Sequence, residues 1–208
     1  MNGTRKRGHH HGHLKTALIE ATDAILREKG IEGFTLRAAA RRAGVSPGAP
    51  AHHFGNVAGL MTEVTLLAYE ELERYLGKVD DTGSPASRMR SLTTAYVLFA
   101  LDHPARFRLM FRKDLVNRDD ERYQRVSQQA LLSFGDGIAT LNGNQDLEDM
   151  KAKGAWGPLI AAWSTAHGIA YLAIENKFET ILEGDPRDAF LNHLLPDILM
   201  AEWPDQDA

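Results

Sequence analysis

Apolar residues recur at intervals of three and four along almost the whole chain, and no stretch alternates with period two for long enough to form a strand. A chain patterned this way buries stripes on helices, so the expected fold class is all-α. Leu14, Leu18, Ala21 and Ile25 mark a first helix over about 13–29. It should stop at Gly30, which accepts a left-handed conformation after a last turn carrying Arg27 and Lys29. Thr35 is a plausible N-cap for a short helix whose Leu36, Ala39, Ala40 and Ala43 face one way, with Gly44 as its stop. Ser46 should cap a third helix that has Pro47 in its first position, where a missing N–H costs nothing. Met61, Val64, Ala68, Leu72, Tyr75 and Val79 form the stripe of a helix over about 56–79, and Asp80 to Pro85 reads as a linker. Helices over about 85–101, 104–111, 119–141, 146–178 and 186–203 complete a set of about nine.

Composition narrows the chemistry. The 208 residues include no cysteine, which removes disulfides, thiolate metal sites and Cys nucleophiles together. Residues 154–174 form a run of 21 without a formal charge, but Gly157-Pro158, Ser164, Thr165 and His167 suit a helix buried against other helices better than a membrane span. No membrane association is expected, and no apolar stretch of signal-peptide length follows the basic start, so a cytoplasmic location is expected. The net charge of −4 conceals a division, because nine of the 24 Lys and Arg residues but only four of the 28 acids fall in residues 1–60. That segment carries +5 and the remainder −9, as expected if one end meets a polyanion. A solvated face would give the same imbalance.

The most informative stretch runs from Thr35 to Phe54. Two short helices joined by Ala43-Gly44-Val45-Ser46 form a helix-turn-helix pattern, in which the second helix projects its N-terminal residues toward a major groove. Around it stand Gly33-Phe34-Thr35-Leu36, Ala39-Ala40-Arg41-Arg42-Ala43-Gly44-Val45-Ser46 and His53-Phe54, and with these the run 10–75 resembles the DNA-binding domain of TetR-family transcriptional regulators. The opening His10-His11-Gly12-His13 and the later Trp163, His167 and Gly168 are similar to a branch of that family with a C-terminal W-x-x-x-H-G signature, and Phe99-Ala100 to Phe111 resembles a further segment of it. The chain departs from the family pattern at Ala51, where most members carry a tyrosine, and at Val57, where most carry a lysine.

The resemblance implies a DNA-binding domain over 1–58 with a basic arm, and a ligand-binding and dimerisation domain over 59–208. It implies a homodimer on a pseudo-palindromic double-stranded operator, most simply a repressor released by a small-molecule effector. Candidate DNA contacts are Arg5, Lys6, Arg7, Thr35, Arg37, Ser46, Pro47, Gly48, Ala49, His52 and His53. Small residues in the second helix favour close approach and apolar contact with thymine methyls over bidentate hydrogen bonding. Candidate effector-pocket residues, as the resemblance implies, are Tyr96, Phe99, Phe107, Met110, Phe111, Tyr123, Trp163 and His167, although helical spacing by itself makes core the default reading for each of them. No catalytic residue, metal site or cofactor is expected, since the sequence offers no nucleophile beside a base, no phosphate loop and no H-E-x-x-H. The alternative is a helical small-molecule-binding protein or enzyme that keeps this scaffold and has lost DNA binding.

Overall fold

The computed structural model describes residues 7–79 and 82–205, with side chains from His13 onward. Among the described residues the structure is helical throughout. The elements are α1 (Arg7–Lys29), α2 (Leu36–Arg42), α3 (Ala49–Phe54), α4 (Val57–Leu76), α5 (Pro85–Asp102), α6 (Pro104–Met110), α7 (Glu121–Leu132), α8 (Gly135–Leu141), α9 (Leu147–Ala152) and α10 (Trp156–Ile174). After a 3-10 turn, a last helical segment combines α11 (Pro186–Ala189), a π-helical stretch (Phe190–Leu194) and α12 (Leu195–Glu202).

Several boundaries differ from the sequence expectations for local reasons. The helix expected over 119–141 is divided between α7 and α8, with the break just before Gly135-Asp136-Gly137. Both glycines are helical and buried inside α8, and a Cβ on Gly135 would meet the Leu147 side chain at 2.6 Å, so the new helix starts where the chain packs closely on α9. The helix expected over 146–178 is divided between α9 and α10 at Gly154, whose φ of +68° stops α9 in a left-handed cap. Pro158 therefore lies in the first turn of α10, where it breaks no helical hydrogen bond. Pro196 has a different consequence. It offers no N–H to the Asn192 carbonyl, and the helix widens just before it, with the Leu195 N–H donating to the Phe190 carbonyl in a π-type bond.

The chain divides into two compact units. The first comprises Met1–Glu70 and His103–Val126, and the second Glu71–Asp102 and Ser127–Ala208. The expected boundary at 58/59 falls inside α4, and the first unit recruits α6 and the start of α7 from far along the chain.

In the first unit α1 packs on α2 and on α6. Its core holds Leu18, Leu26, Ala39, Leu60, Met61, Val64, Phe107 and Leu109, all buried. Burying each large side chain contributes about 1.5–3 kcal/mol. One polar group interrupts this core. Asp23 lies on the buried face of α1, only 4% exposed, and accepts two hydrogen bonds from Arg106 of α6, Nε to Oδ1 at 2.7 Å and Nη2 to Oδ2 at 2.8 Å. Arg27 adds a second cationic neighbour at 3.3 Å. A buried carboxylate is tolerated only when its charge and lone pairs are met this fully.

In the second unit α5 packs against α8, α10 and α12, around Met89, Phe99, Phe134, Met150 and Leu159. The apolar residues of α10 and the last segment divide unevenly between inside and outside. Leu159, Ile169 and Leu195 are core, whereas Trp156, Ile160, Tyr171, Leu172 and Met200 are exposed.

Removing one partner of the Asp23–Arg106 pair leaves a desolvated charge behind. Asp23→Ala is expected to lower unfolding stability by about 3 kcal/mol, read as a lower urea midpoint. Asp23→Leu with Arg106→Met should recover most of that loss, and equal losses for the single and double variants would contradict a role for the pair itself.

Candidate nucleic-acid interface

The turn between α2 and α3 is built from backbone hydrogen bonds and one glycine. Thr35 begins α2 as expected, its Oγ1 accepting from the Ala38 N–H at 3.2 Å. At the other end the Gly44 N–H donates to the Arg41 carbonyl at 3.2 Å and the Val45 N–H to the Ala40 carbonyl at 3.0 Å. This pair of bonds is a Schellman cap, and it requires the left-handed backbone that Gly44 adopts at φ +68°. Buried Ala39 and Ala40 anchor α2 in the unit while its Arg37 and Arg41 point to solvent.

The start of α3 corrects the expectation. Ser46 does not cap the helix and Pro47 is not its first residue. The Ala49 N–H donates to the Ser46 carbonyl at 3.0 Å in a tight turn, and α3 begins at Ala49 with Gly48 in the N-cap position. Pro50 forces this register, because a proline is tolerated only in the first turn and here it sits there, buried. The exposed lip of the motif is then Ser46, Pro47 and Gly48, with His52 exposed and Ala49 and His53 half-buried. The two imidazoles meet edge to face, centroids 5.4 Å apart, and His53 also approaches Phe54 at 6.3 Å.

Around the motif, cations fall into paired and exposed sets. Arg42 forms a two-pronged bridge to Glu28, both hydrogen bonds at 2.6 Å, which holds the Glu28 carboxyl below its ordinary range. Lys15 bridges Glu63 at 2.9 Å and lies 5.8 Å over the Phe54 ring. Thr35 and Arg37 are exposed on the α2 side. Of the expected basic arm, Arg5 and Lys6 lie outside the described residues, and Arg7 opens α1 with its side chain undescribed. Among the described residues no group of three or more His, Asp or Glu is placed to hold a metal ion, and no helix is long and apolar enough to cross a membrane.

The eight candidate effector residues separate. Phe107, Met110, Phe111 and Tyr123 belong to the first unit and Tyr96, Phe99, Trp163 and His167 to the second. In the first, Phe107 and Met110 are core, Phe111 is partly exposed 5.3 Å from Phe107, and buried Tyr123 stands edge-on to Tyr69. In the second, Phe99 is fully buried against Tyr75 and Tyr96 is buried beside Phe134. Tyr96 Oη lies 3.2 Å from His167 Nδ1, and Trp163 tilts over the same imidazole at 5.9 Å. Burial lowers the pKa of His167.

Sequence reasoning missed the Asp23–Arg106 pair and the recruitment of α6. The signal available was an acid embedded in the apolar stripe Leu18, Ala21, Ile25 of α1.

A helix-turn-helix carried on a helical unit is the architecture of a duplex-binding domain. Residues 18–64 match the model of bacterial regulatory proteins of the tetR family, and residues 89–198, more than half of the chain, match the tetracyclin repressor-like C-terminal domain. The chain belongs to the TetR family of transcriptional regulators, whose members are DNA-binding transcription factors rather than enzymes and typically form ligand-binding homodimers. Its fold is similar to that of a protein of unknown function from Rhodococcus sp. RHA1, at 25% identity and a TM-score of 0.60 over 90% of this chain and 94% of that one. It is also similar to a TetR-like transcriptional regulator from the same organism, at 13% identity and a TM-score of 0.56 over 93% and 97% of the two chains. The TetR family transcriptional regulator PfmR from Thermus thermophilus aligns over 100% of both chains at 17% identity and a TM-score of 0.60. No curated protein sequence matches the chain.

The lowered His167 pKa has a pH signature. The unfolded chain binds a proton at the ordinary histidine value of 6.5 and the folded chain only at lower pH. The folded state therefore holds fewer protons in that window, and its stability falls as pH drops below 6.5. A His167→Phe variant should lose this part of the acid sensitivity, so the stability of the wild type falls relative to the variant's from pH 7 to pH 5 in urea titrations. Parallel pH profiles would contradict the burial account.

Proposed function

We propose that this regulator is a repressor that binds a pseudo-palindromic operator as a homodimer and is released from it by a small apolar effector. The observation that carries the reading is the α2–turn–α3 surface. It combines a rigid left-handed cap at Gly44, exposed Arg37 and Arg41 on α2, and a lip of small residues at Ser46, Pro47 and Gly48. Arg37 and the arm residues Arg5, Lys6 and Arg7 would meet phosphates, and Thr35 would stand beside them at the α2 N-terminus. The lip, Ala49 and His52 would approach base edges, with His53 supporting from behind. Without Arg, Asn or Gln in α3, base reading rests on close packing against thymine methyls and on His52.

Dimerisation is assigned to α10 and the last helical segment. One edge of α10 alternates exposed apolar residues, Ile160, Tyr171 and Leu172, with small ones at Gly157, Ala161 and Ser164. That mixture suits close packing of a second copy, and a two-fold pair presents two recognition helices to half-sites about 34 Å apart or a multiple of it. The effector would sit in the 59–208 domain. Its anchors would be the Trp163, His167 and Tyr96 cluster, apolar surface with few polar edges, which also supports placing the chain in the W-x-x-x-H-G branch. Such a ligand releases DNA only by binding one dimer state more tightly than the other. A repressor of this kind acts in the cytoplasm.

The test is an anisotropy titration on a duplex selected from a random pool, at several salt concentrations. Saturation is expected at two chains per duplex. Log K should fall steeply with log salt, and the magnitude of that slope should be smaller by about 1.8 in Arg37→Gln, which removes one phosphate partner from each of the two chains. Saturation at one chain, or affinity indifferent to salt, would overturn the reading and favour a scaffold that has given up DNA binding.

A further inference from the structure

Between Arg42 and Arg74 the sequence has no lysine or arginine. From this stretch a duplex lying along α3 and the first turn of α4 would meet only His52 and His53 as candidate cations, and the exposed residue that opens α4 is the uncharged Val57. Lys15 of α1 lies over the Phe54 ring, but its charge is bridged to Glu63. A cation nevertheless stands at this place, supplied from much further along the chain. A cleft of about 420 Å³ has Phe54, Asn56, Ala58 and Gly59 on one wall and Asn117 and Arg118 on the other.

The segment between α6 and α7 is tied down to make that wall. The Asn117 N–H donates to Thr62 Oγ1 at 2.8 Å, fastening the segment to the second turn of α4. Gln124 Nε2 donates to the Arg118 carbonyl at 2.9 Å, and the Asp119 N–H to Asn117 Oδ1 at 3.2 Å. The arginines on either side are neutralised, Arg112 by Asp114 and Glu32 and Arg122 by Asp120 and Glu63. Arg118 is exposed and its guanidinium has no carboxylate partner among the described residues.

We propose that Arg118 contacts a backbone phosphate of the operator beside the base pairs approached by α3. It thereby supplies the charge that α3 and the start of α4 lack. The guanidinium fork matches two phosphate oxygens, and a contact of this kind fixes the register of the protein on the duplex without reading its sequence. This rests on the reading that α3 faces DNA.

The experiment repeats the salt titration with Arg118→Gln, Arg118→Lys and the double variant Arg118→Gln/Val57→Lys, on the selected operator and on a scrambled duplex. Arg118→Gln should weaken both duplexes severalfold with their ratio unchanged, reduce the slope magnitude by about 1.8 because each of the two chains loses one phosphate contact, and leave the melting temperature unchanged. Arg118→Lys should keep the wild-type slope, and a lysine at position 57 should restore it to the Gln variant, since Val57 is exposed at the start of α4, next to the cleft rather than in it. A wild-type slope in Arg118→Gln removes Arg118 from the interface while leaving the operator reading intact. An altered operator-to-scrambled ratio would make it a base reader and overturn the phosphate assignment. Salt-indifferent wild-type binding would overturn both readings, and it is distinguished by appearing before any substitution is made.

Discussion

The reading head depends throughout on one backbone conformation, the left-handed Gly44 that closes α2. With φ at +68° the chain turns back sharply enough for two cap bonds, from Gly44 to Arg41 and from Val45 to Ala40, to form together. A side chain at this position would cost about 1–2 kcal/mol in the same conformation. The cap fixes where α2 ends, and Pro50 fixes where α3 begins, since it is accommodated only in a first turn. Between these two constraints Ser46, Pro47 and Gly48 have little freedom. That rigidity suits the role proposed for these residues, in which small side chains meet DNA by close approach.

The reading head is in turn mounted on a unit that the order of the chain does not foreshadow. α6 and the start of α7 belong to the same unit as α1, α2 and α3, and the Asp23–Arg106 pair ties α1 to α6 inside the core. A buried ion pair adds little net stability over an apolar contact, but it penalises any arrangement that separates its partners. The same recruitment brings the segment carrying Asn117 and Arg118 to the first turns of α4. One tertiary event thus holds α1 in place and adds a cation beside the reading head.

What was legible in the sequence was what local chemistry decides. Thr35 as a cap, Gly30 and Gly44 as stops, the all-helical class and the helix-turn-helix each follow from a few adjacent residues, and the structure has them. Ser46 and Pro47 misled because they match a helix start, while Pro50 three residues later imposes a stricter condition. The undivided helices expected over 119–141 and 146–178 overlooked the left-handed stop at Gly154 and the close packing of Gly135 on Leu147, neither of which an apolar stripe registers. Among the expected effector residues, Phe99 and Phe107 proved to be fully buried side chains, while Trp163 and His167 keep partial exposure. Spacing alone does not separate these cases, because core and cavity walls share the same helical period. The Asp23–Arg106 pair and the place of Arg118 depend on which distant segments meet, which a periodic pattern leaves open.

The central claim is that two copies of the α2–turn–α3 surface engage one duplex. Hydroxyl-radical footprinting on the selected operator tests it most directly, because protection maps the backbone each copy covers. Two protected patches related by a two-fold axis are predicted, their centres about 34 Å or a multiple of that apart along one face of the duplex. A single patch, or uniform protection without phase, would contradict it.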